Sequence, residues 1–545
     1  MKRKSSRRHK RIDYVALNEG LDLRELDKHP HIERFKQFVN DEPVENNIYL
    51  VDPTRDGKKI VSENGNEEII FDDDCLAKII SKTRLRKPIM IKNCNPSMTS
   101  TYDSRCNLSF KFPKLNIDDL TNLIGPQHKV PVMDVQSQNI EPNWDMEKWC
   151  HYFKLPIEDR NKVLNVISLE FSQTGLAEYV ELPKVVTDIN IVNKMFDAVL
   201  SQSNETADVE AGERDENDLD HGHRINVELG VDRPKVSKYV LMSVKNSFTD
   251  FHIDFGGTSV YYSIVQGCKQ FLMFPPTERN LTQYERWSTS DSQNTTWFAD
   301  LISPLSPKER MKLKRLAAGA ENKDLETDTE VFGLGTSFSP DVDDAYINNG
   351  FKVDINAGDL LLLPSGWIHS VYTPEDSIIL GGNFLNLMSL RTHLKVYDIE
   401  VSTKVPERFK FPSFIKIVWL LGFVLMNDLI ELSELELECV KTLPKFYRGQ
   451  LELVRDKQKQ NDKRFRTTIN KLRSAIPHNV IGKPEEFVKK FEEWYIEKTS
   501  ASLKTEVEDH AMVATGFTGL SSSNDLLFKV MATSQLIDRK RRRLQ

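Results

Sequence analysis

The chain has 545 residues, 39% hydrophobic and 28% charged, with 24 Gly and 24 Pro. These proportions exclude collagen-like and proline-rich low-complexity chains, and at about 150 residues per domain the length suits two to four domains. Net charge is −7, from 74 Lys and Arg against 81 Asp and Glu, so bulk charge does not mark a nucleic-acid binder.

Charge is uneven along the chain. Seven basic residues and no acid lie between Met1 and Arg11, and Arg539 to Arg543 are all basic. Glu205 to Asp220 holds eight acids and one Arg. The basic start is not followed by an apolar stretch of signal-peptide type. The longest apolar run, Ile417 to Met426, has ten residues where a bilayer needs about twenty, so it predicts a buried helix. A soluble, intracellular chain with no membrane association is expected. Cys75, Cys94, Cys106, Cys150, Cys268 and Cys439 form no closely spaced pair of zinc-finger type and are expected as free thiols.

In chain order, residues 1–60 lack sustained periodicity. They are expected to be basic and largely disordered, with a short helix within Leu21 to Val39. Residues 61–232 alternate between helix and strand patterns. Pro88 to Ile91 reads as a buried strand, Ile117 to Ile124 and Asn143 to Phe153 as helices, Ile157 to Val163 as a short helix, and Asn165 to Phe171 as a strand. Residues 201–232 read as an acidic, solvated insertion. Residues 233–403 have β texture, with strands at Lys238 to Val244, Thr249 to Phe255, Thr258 to Val265 and Lys269 to Phe274. After an insertion at 303–350 come Phe351 to Ile355, Asp359 to Leu363, Ile368 to Thr373 and Ile378 to Leu385. Residues 404–545 form a helical region with a basic tail. In it Phe487, Val488, Phe491, Trp494 and Tyr495 mark an amphipathic helix after Pro484.

The chemistry concentrates in Thr249-Asp250-Phe251-His252-Ile253-Asp254-Phe255-Gly256-Gly257. On a strand His252 and Asp254 share a face, with Phe251, Ile253 and Phe255 opposite. An imidazole and a carboxylate so placed can chelate one metal, and His369, ending the run Gly358 to His369, is the candidate third ligand. Two His and one carboxylate make the facial triad of non-haem Fe(II) oxygenases. Lys269 opens a strand among Phe271, Leu272 and Phe274. It is either exposed there or buried, and a buried lysine needs an anionic partner such as the distal carboxylate of a 2-oxoacid.

The runs LNVISLEFS (Leu164 to Ser172), YVLMSVKNSFTDFHIDFGGTSVYYSIVQGCKQFLMFPPT (Tyr239 to Thr277), LLLPSGWIHSVYTPEDSIILGGNFL (Leu361 to Leu385) and VPERFKFP (Val405 to Pro412) resemble the JmjC family of Fe(II)/2-oxoglutarate oxygenases. They look closest to its fungal and animal demethylases of histone H3 lysine 36. The resemblance covers about residues 60–425 apart from the two insertions. It implies an α+β fold: a double-stranded β-helix (cupin-like jelly roll) as the JmjC core, with flanking helices and a C-terminal helical domain. His252, Asp254 and His369 would hold Fe(II). Thr249 and Lys269 would bind 2-oxoglutarate, with Tyr262 and Asn165 lining the same pocket, and Gly256-Gly257 would leave room for the methylated lysine. The implied reaction is N-methyl hydroxylation releasing formaldehyde, succinate and CO2. The implied partners are the methylated histone H3 tail and nucleosomal DNA through the basic segments. The implied setting is the nucleus, in chromatin and transcription regulation. Unlike many family members, the chain has no cysteine spacing for a zinc-bound PHD finger. A hydroxylase of another protein or an RNA would use the same iron site, and a non-catalytic chromatin scaffold is the third reading.

Overall fold

A computed structural model describes residues 29, 31–41, 43–61, 66–98, 102–208, 230–302, 350–456, 460 and 463–516. Among these, sixteen strands form three sheets: β1 (Tyr49–Leu50), β2 (Lys58–Val61), β3 (Glu67–Asp72), β4 (Ile89–Ile91), β5 (Cys106–Asn107), β6 (Val132–Asp134), β7 (Asn139–Glu141), β8 (Leu164–Glu170), β9 (Tyr239–Ser243), β10 (Phe248–His252), β11 (Ser259–Gln266), β12 (Cys268–Phe274), β13 (Phe351–Asn356), β14 (Leu360–Leu363), β15 (Ile368–Tyr372) and β16 (Ser377–Phe384).

Nine strands pair in the order β1-β4-β14-β11-β16-β9-β8-β6-β7, and four in the order β10-β15-β12-β13. Alternation along β14 shows how the layers stack. Leu361 and Leu363 join a cluster with Phe271, Met273 and Val371 of the four-stranded sheet, so this cluster is the barrel interior. Leu360 and Leu362 face the other way, into a cluster with Leu76, Leu120 and Trp149. Those residues belong to the helices Asp73–Thr83, Ile117–Ile124 and Met146–Lys154. A strand covered on both faces has no need of polar alternation, which is why its sequence is four leucines. The double-stranded β-helix expected of the fold class is thus the core of the molecule.

The outer face of the four-stranded sheet is covered as well. Phe248, Phe251, Leu272 and Phe274 pack against Trp287, Trp297 and Phe298 and against Ile32 and Phe35. The last two lie on the helix Ile32–Gln37, within the stretch read as the loose N-terminal region. The C-terminal helices form a separate cluster around Phe414–Met426. Trp419 stacks on Tyr447 there with ring centroids 4.3 Å apart, and Tyr447 Oη donates to the Val418 carbonyl (2.8 Å). No helix among the described residues is long and apolar enough to cross a membrane.

Three local expectations are corrected. The strand read through Phe255 stops at His252, because Asp254 turns the chain into a single 3-10 turn, Phe255–Gly257. Residues Ile157–Asp159 make only a 3-10 turn, and the chain is extended again from Leu164 because Leu164 and Val166 are needed in the core. The helix Ile191–Asp208 runs into the beginning of the stretch read as a solvated insertion. Most of that acidic stretch, nearly all of 303–350 and both basic ends lie outside the described residues.

Candidate metal centre

β10 and β15 run antiparallel, and their register places His252 opposite His369. The two imidazoles sit with ring centroids 4.2 Å apart, inclined at 51°. His252 Nδ1 lies 2.9 Å from the Asp250 carbonyl and His369 Nδ1 lies 3.0 Å from the Trp367 carbonyl. A carbonyl only accepts, so each Nδ1 carries the hydrogen and Nε2 is the ring nitrogen left to meet a cation. Asp254 stands just past the end of β10, and its Oδ2 is 3.9 Å from His369 Nε2. One donor atom from each of the three residues falls within 4.8 Å of the others.

The electrostatics suit a cation. Burial, together with the neighbouring His252, pushes His369 well below the ordinary histidine range, so it is a neutral ligand at physiological pH. Burial also raises the Asp254 carboxyl, partly opposed by His252 and by Asn383. Asn383 Nδ2 is 2.8 Å from Thr258 Oγ1 and 3.5 Å from Asp254 Oδ1. Two imidazoles and a carboxylate that burial makes costly to ionise alone form a donor set that fits Fe(II).

The remaining expected residues line the barrel on both sides of this centre. Lys269 on β12 is 3% exposed, which decides between its two readings: it is buried. Its Nζ donates to Thr373 Oγ1 (2.6 Å), and burial lowers its pKa to about 7. Phe271, two residues on, stacks nearly parallel on His369 at 5.8 Å and meets the buried Tyr262 edge-on at 5.3 Å. From the opposite sheet Asn165 accepts from Ser243 Oγ (2.6 Å) and directs Nδ2 at Thr249 Oγ1 (3.4 Å).

The two glycines after Asp254 sit against the residues that follow the barrel. Gly256 and Gly257 have φ of +59° and +58°, and a Cβ on them would come within 3.0 Å of Phe411 and 2.8 Å of Val396. Their missing side chains leave room for Phe411 and Val396. The helix Leu390–Ser402 presses on this turn, and Glu400 Oε1 accepts the Gly256 N–H (2.7 Å). Sequence reasoning did not single out Asn383, Glu400 or a second cluster of His29, His31 and Asp250. Only Asp250, two residues before His252, carried any local signal.

A cupin-type β-helix that gathers two imidazoles and a carboxylate in its interior has the donor set to hold one metal ion. Residues 176–385 match the cupin-like domain family and residues 388–493 the Jumonji helical domain family. The chain is 35% identical over 432 residues to the JmjC domain-containing histone demethylation protein 1 of Debaryomyces hansenii, covering 78% of this chain and 67% of that protein. It is 35% identical to the protein of the same name from Candida albicans (78% and 70% covered) and 34% identical to that from Candida glabrata (76% and 79%). The chain belongs to this family of JmjC domain-containing histone demethylation proteins, and with it to the 2-oxoglutarate-dependent dioxygenases.

Proposed function

We propose that the protein removes methyl groups from histone H3 lysine 36, using Fe(II) and 2-oxoglutarate. The observation that carries this reading is the convergence of one donor atom each from His252, Asp254 and His369 inside the barrel. Family membership supports a histone substrate, and the likeness of the quoted motifs to the lysine-36 subgroup supports the position. In this reading His252, Asp254 and His369 hold Fe(II). Lys269 pairs its ammonium with the distal carboxylate of 2-oxoglutarate, Thr249 donates to the same cosubstrate, and Tyr262 and Asn165 shape its pocket. Residues 233–403 are the catalytic core, 61–232 support it and 404–545 form the helical region.

Bound Fe(II) supplies the oxidising chemistry with O2 and 2-oxoglutarate. The chain's own residues do the rest. The backbone carbonyls of Asp250 and Trp367 hold both imidazoles in the Nδ1–H tautomer. Phe271 and Tyr262 exclude water beside His369. The hydroxylated N-methyl group then leaves as formaldehyde. A nuclear location suits this substrate, with nucleosomal DNA contacted through the basic ends.

The test is mass spectrometry of histone H3 peptides methylated at lysine 4, 9, 27 or 36, incubated with protein, Fe(II), ascorbate and 2-oxoglutarate. Loss of 14 Da per turnover from the lysine-36 peptide, with formaldehyde, is the expected result. A stable gain of one oxygen would make the protein a hydroxylase, and demethylation of another peptide alone would overturn the position.

A further inference from the structure

Between Thr249 and His252, β10 holds one residue more than the facing β15. A bulge of this kind bends a strand and re-aims a side chain, at the expense of local pairing. Asp250 lies inside the bulge and organises it twice. Its Oδ1 accepts the Phe251 N–H (2.9 Å), and its backbone carbonyl accepts from His252 Nδ1 (2.9 Å). The position of Asp250 therefore sets the direction in which the His252 imidazole points.

Asp250 is held from a distant part of the chain. His31 Nδ1 lies 3.2 Å from its Oδ1 and 3.1 Å from its Oδ2. An ionised carboxylate only accepts, so His31 donates, and its own backbone N–H is taken by His29 Nδ1 (3.2 Å). His31 is buried, edge-on to Trp297 at 5.3 Å. The segment is pinned on both sides of it: His29 lies 4.9 Å from Phe248, and Phe35 meets the same ring edge-on at 5.8 Å.

We propose that His29 and residues 31–37 brace the metal centre, with His31, through Asp250, a positioning residue for His252. The inference rests on the reading of His252, Asp254 and His369 as the metal site. His29 Nδ1 already accepts the His31 backbone N–H and His31 Nδ1 already faces the Asp250 carboxylate, which favours a hydrogen-bonded brace over a second metal site built on the same atoms. Partners behind a metal-bound histidine typically change metal affinity 10- to 100-fold when removed.

The experiment titrates Co(II) into full-length protein and records its visible spectrum, the equivalents bound and the melting temperature. Wild type is compared with His31→Phe, His31→Asn and His252→Ala. The amide nitrogen of Asn can occupy the place of His31 Nδ1 and keep the donor. We expect one equivalent in wild type, about 10- to 100-fold weaker binding with an altered spectrum in His31→Phe, and recovery to within a few-fold in His31→Asn. If His31→Phe does not fold, His31→Ala takes its place. A His31→Phe protein with lowered melting temperature but unchanged affinity and spectrum would reduce the segment to packing and overturn the proposal. So would a second equivalent in wild type that is lost in His31→Phe, since the cluster would then be a metal site. Failure of the underlying reading looks different: His252→Ala would still bind Co(II) with the wild-type spectrum.

Discussion

Thr249 and His252 are three residues apart on β10, yet they face the same side of it. Thr249 stands opposite Val371 and His252 opposite His369, and those two residues are only two apart on β15. On an unbroken strand an odd separation sends two side chains to opposite faces. The extra residue between them cancels the difference. It lets the hydroxyl proposed for the cosubstrate and the imidazole proposed for the metal share one face of the sheet.

The His252→Ala variant should keep its fold and lose both metal and turnover. The ring sits at the end of a strand whose core contacts are made by Phe248 and Phe251. Metal analysis beside a circular dichroism spectrum checks this, and wild-type formaldehyde release would remove His252 from the site.

Lys269→Ala should raise KM for 2-oxoglutarate about 10- to 100-fold, the effect of losing a charge-assisted bond of about 1.5–3 kcal/mol. In wild type the same KM should rise as pH climbs above about 7. There the cosubstrate-free amine, its pKa lowered by burial, loses its proton, and the dianionic ligand must restore it. The stability term has its own sign. Between about pH 7 and 10.5 the unfolded chain holds the proton that the folded one has released, so this group's contribution to stability increases with pH across that window. Lys269→Met should flatten both profiles, and a KM independent of pH between 6.5 and 8.5 in wild type would show that another group anchors the carboxylate.

Asn383→Ala should weaken metal binding by about tenfold or more while leaving secondary structure unchanged. Asn383 Nδ2 bonds Thr258 Oγ1 and reaches towards Asp254 Oδ1, so its loss frees the carboxylate to swing. Competition with a chelator measures the change.

Gly257→Ala should destabilise the protein by about 1–3 kcal/mol and loosen the metal as well. The new methyl would overlap Val396, and the residue must also hold a left-handed conformation. Because this turn directly follows Asp254, any shift that relieves the overlap moves a ligand. Urea melts together with metal titration separate the two effects, and an unchanged melt would show that the helix Leu390–Ser402 yields freely.

The strands of the barrel were legible because their patterns are local. β14 is four leucines before Pro364, β12 ends in four apolar residues before Pro275, and β11 is mostly apolar between Gly257 and Gly267; such runs have little alternative to a buried strand. His252, Asp254 and His369, which the structure brings together, could be singled out because their residue types and the motifs around them are short-range properties of the chain. The burial of Lys269 was not legible, since a lysine at a strand start fits either side of a sheet until the facing elements are known.

The sequence by itself therefore determined the barrel, its family and the three residues proposed for the metal. Tertiary structure alone decided the rest. A bulge is a count of one strand against another, and β10 meets β15 across more than a hundred residues of chain. The contacts of His31 with Asp250 and of Gly257 with Val396 are likewise made between segments that no local pattern links. Which buried groups satisfy one another is settled only when the sheets close, because hydrogen bonding and steric exclusion act over a few ångströms of space and not along the chain.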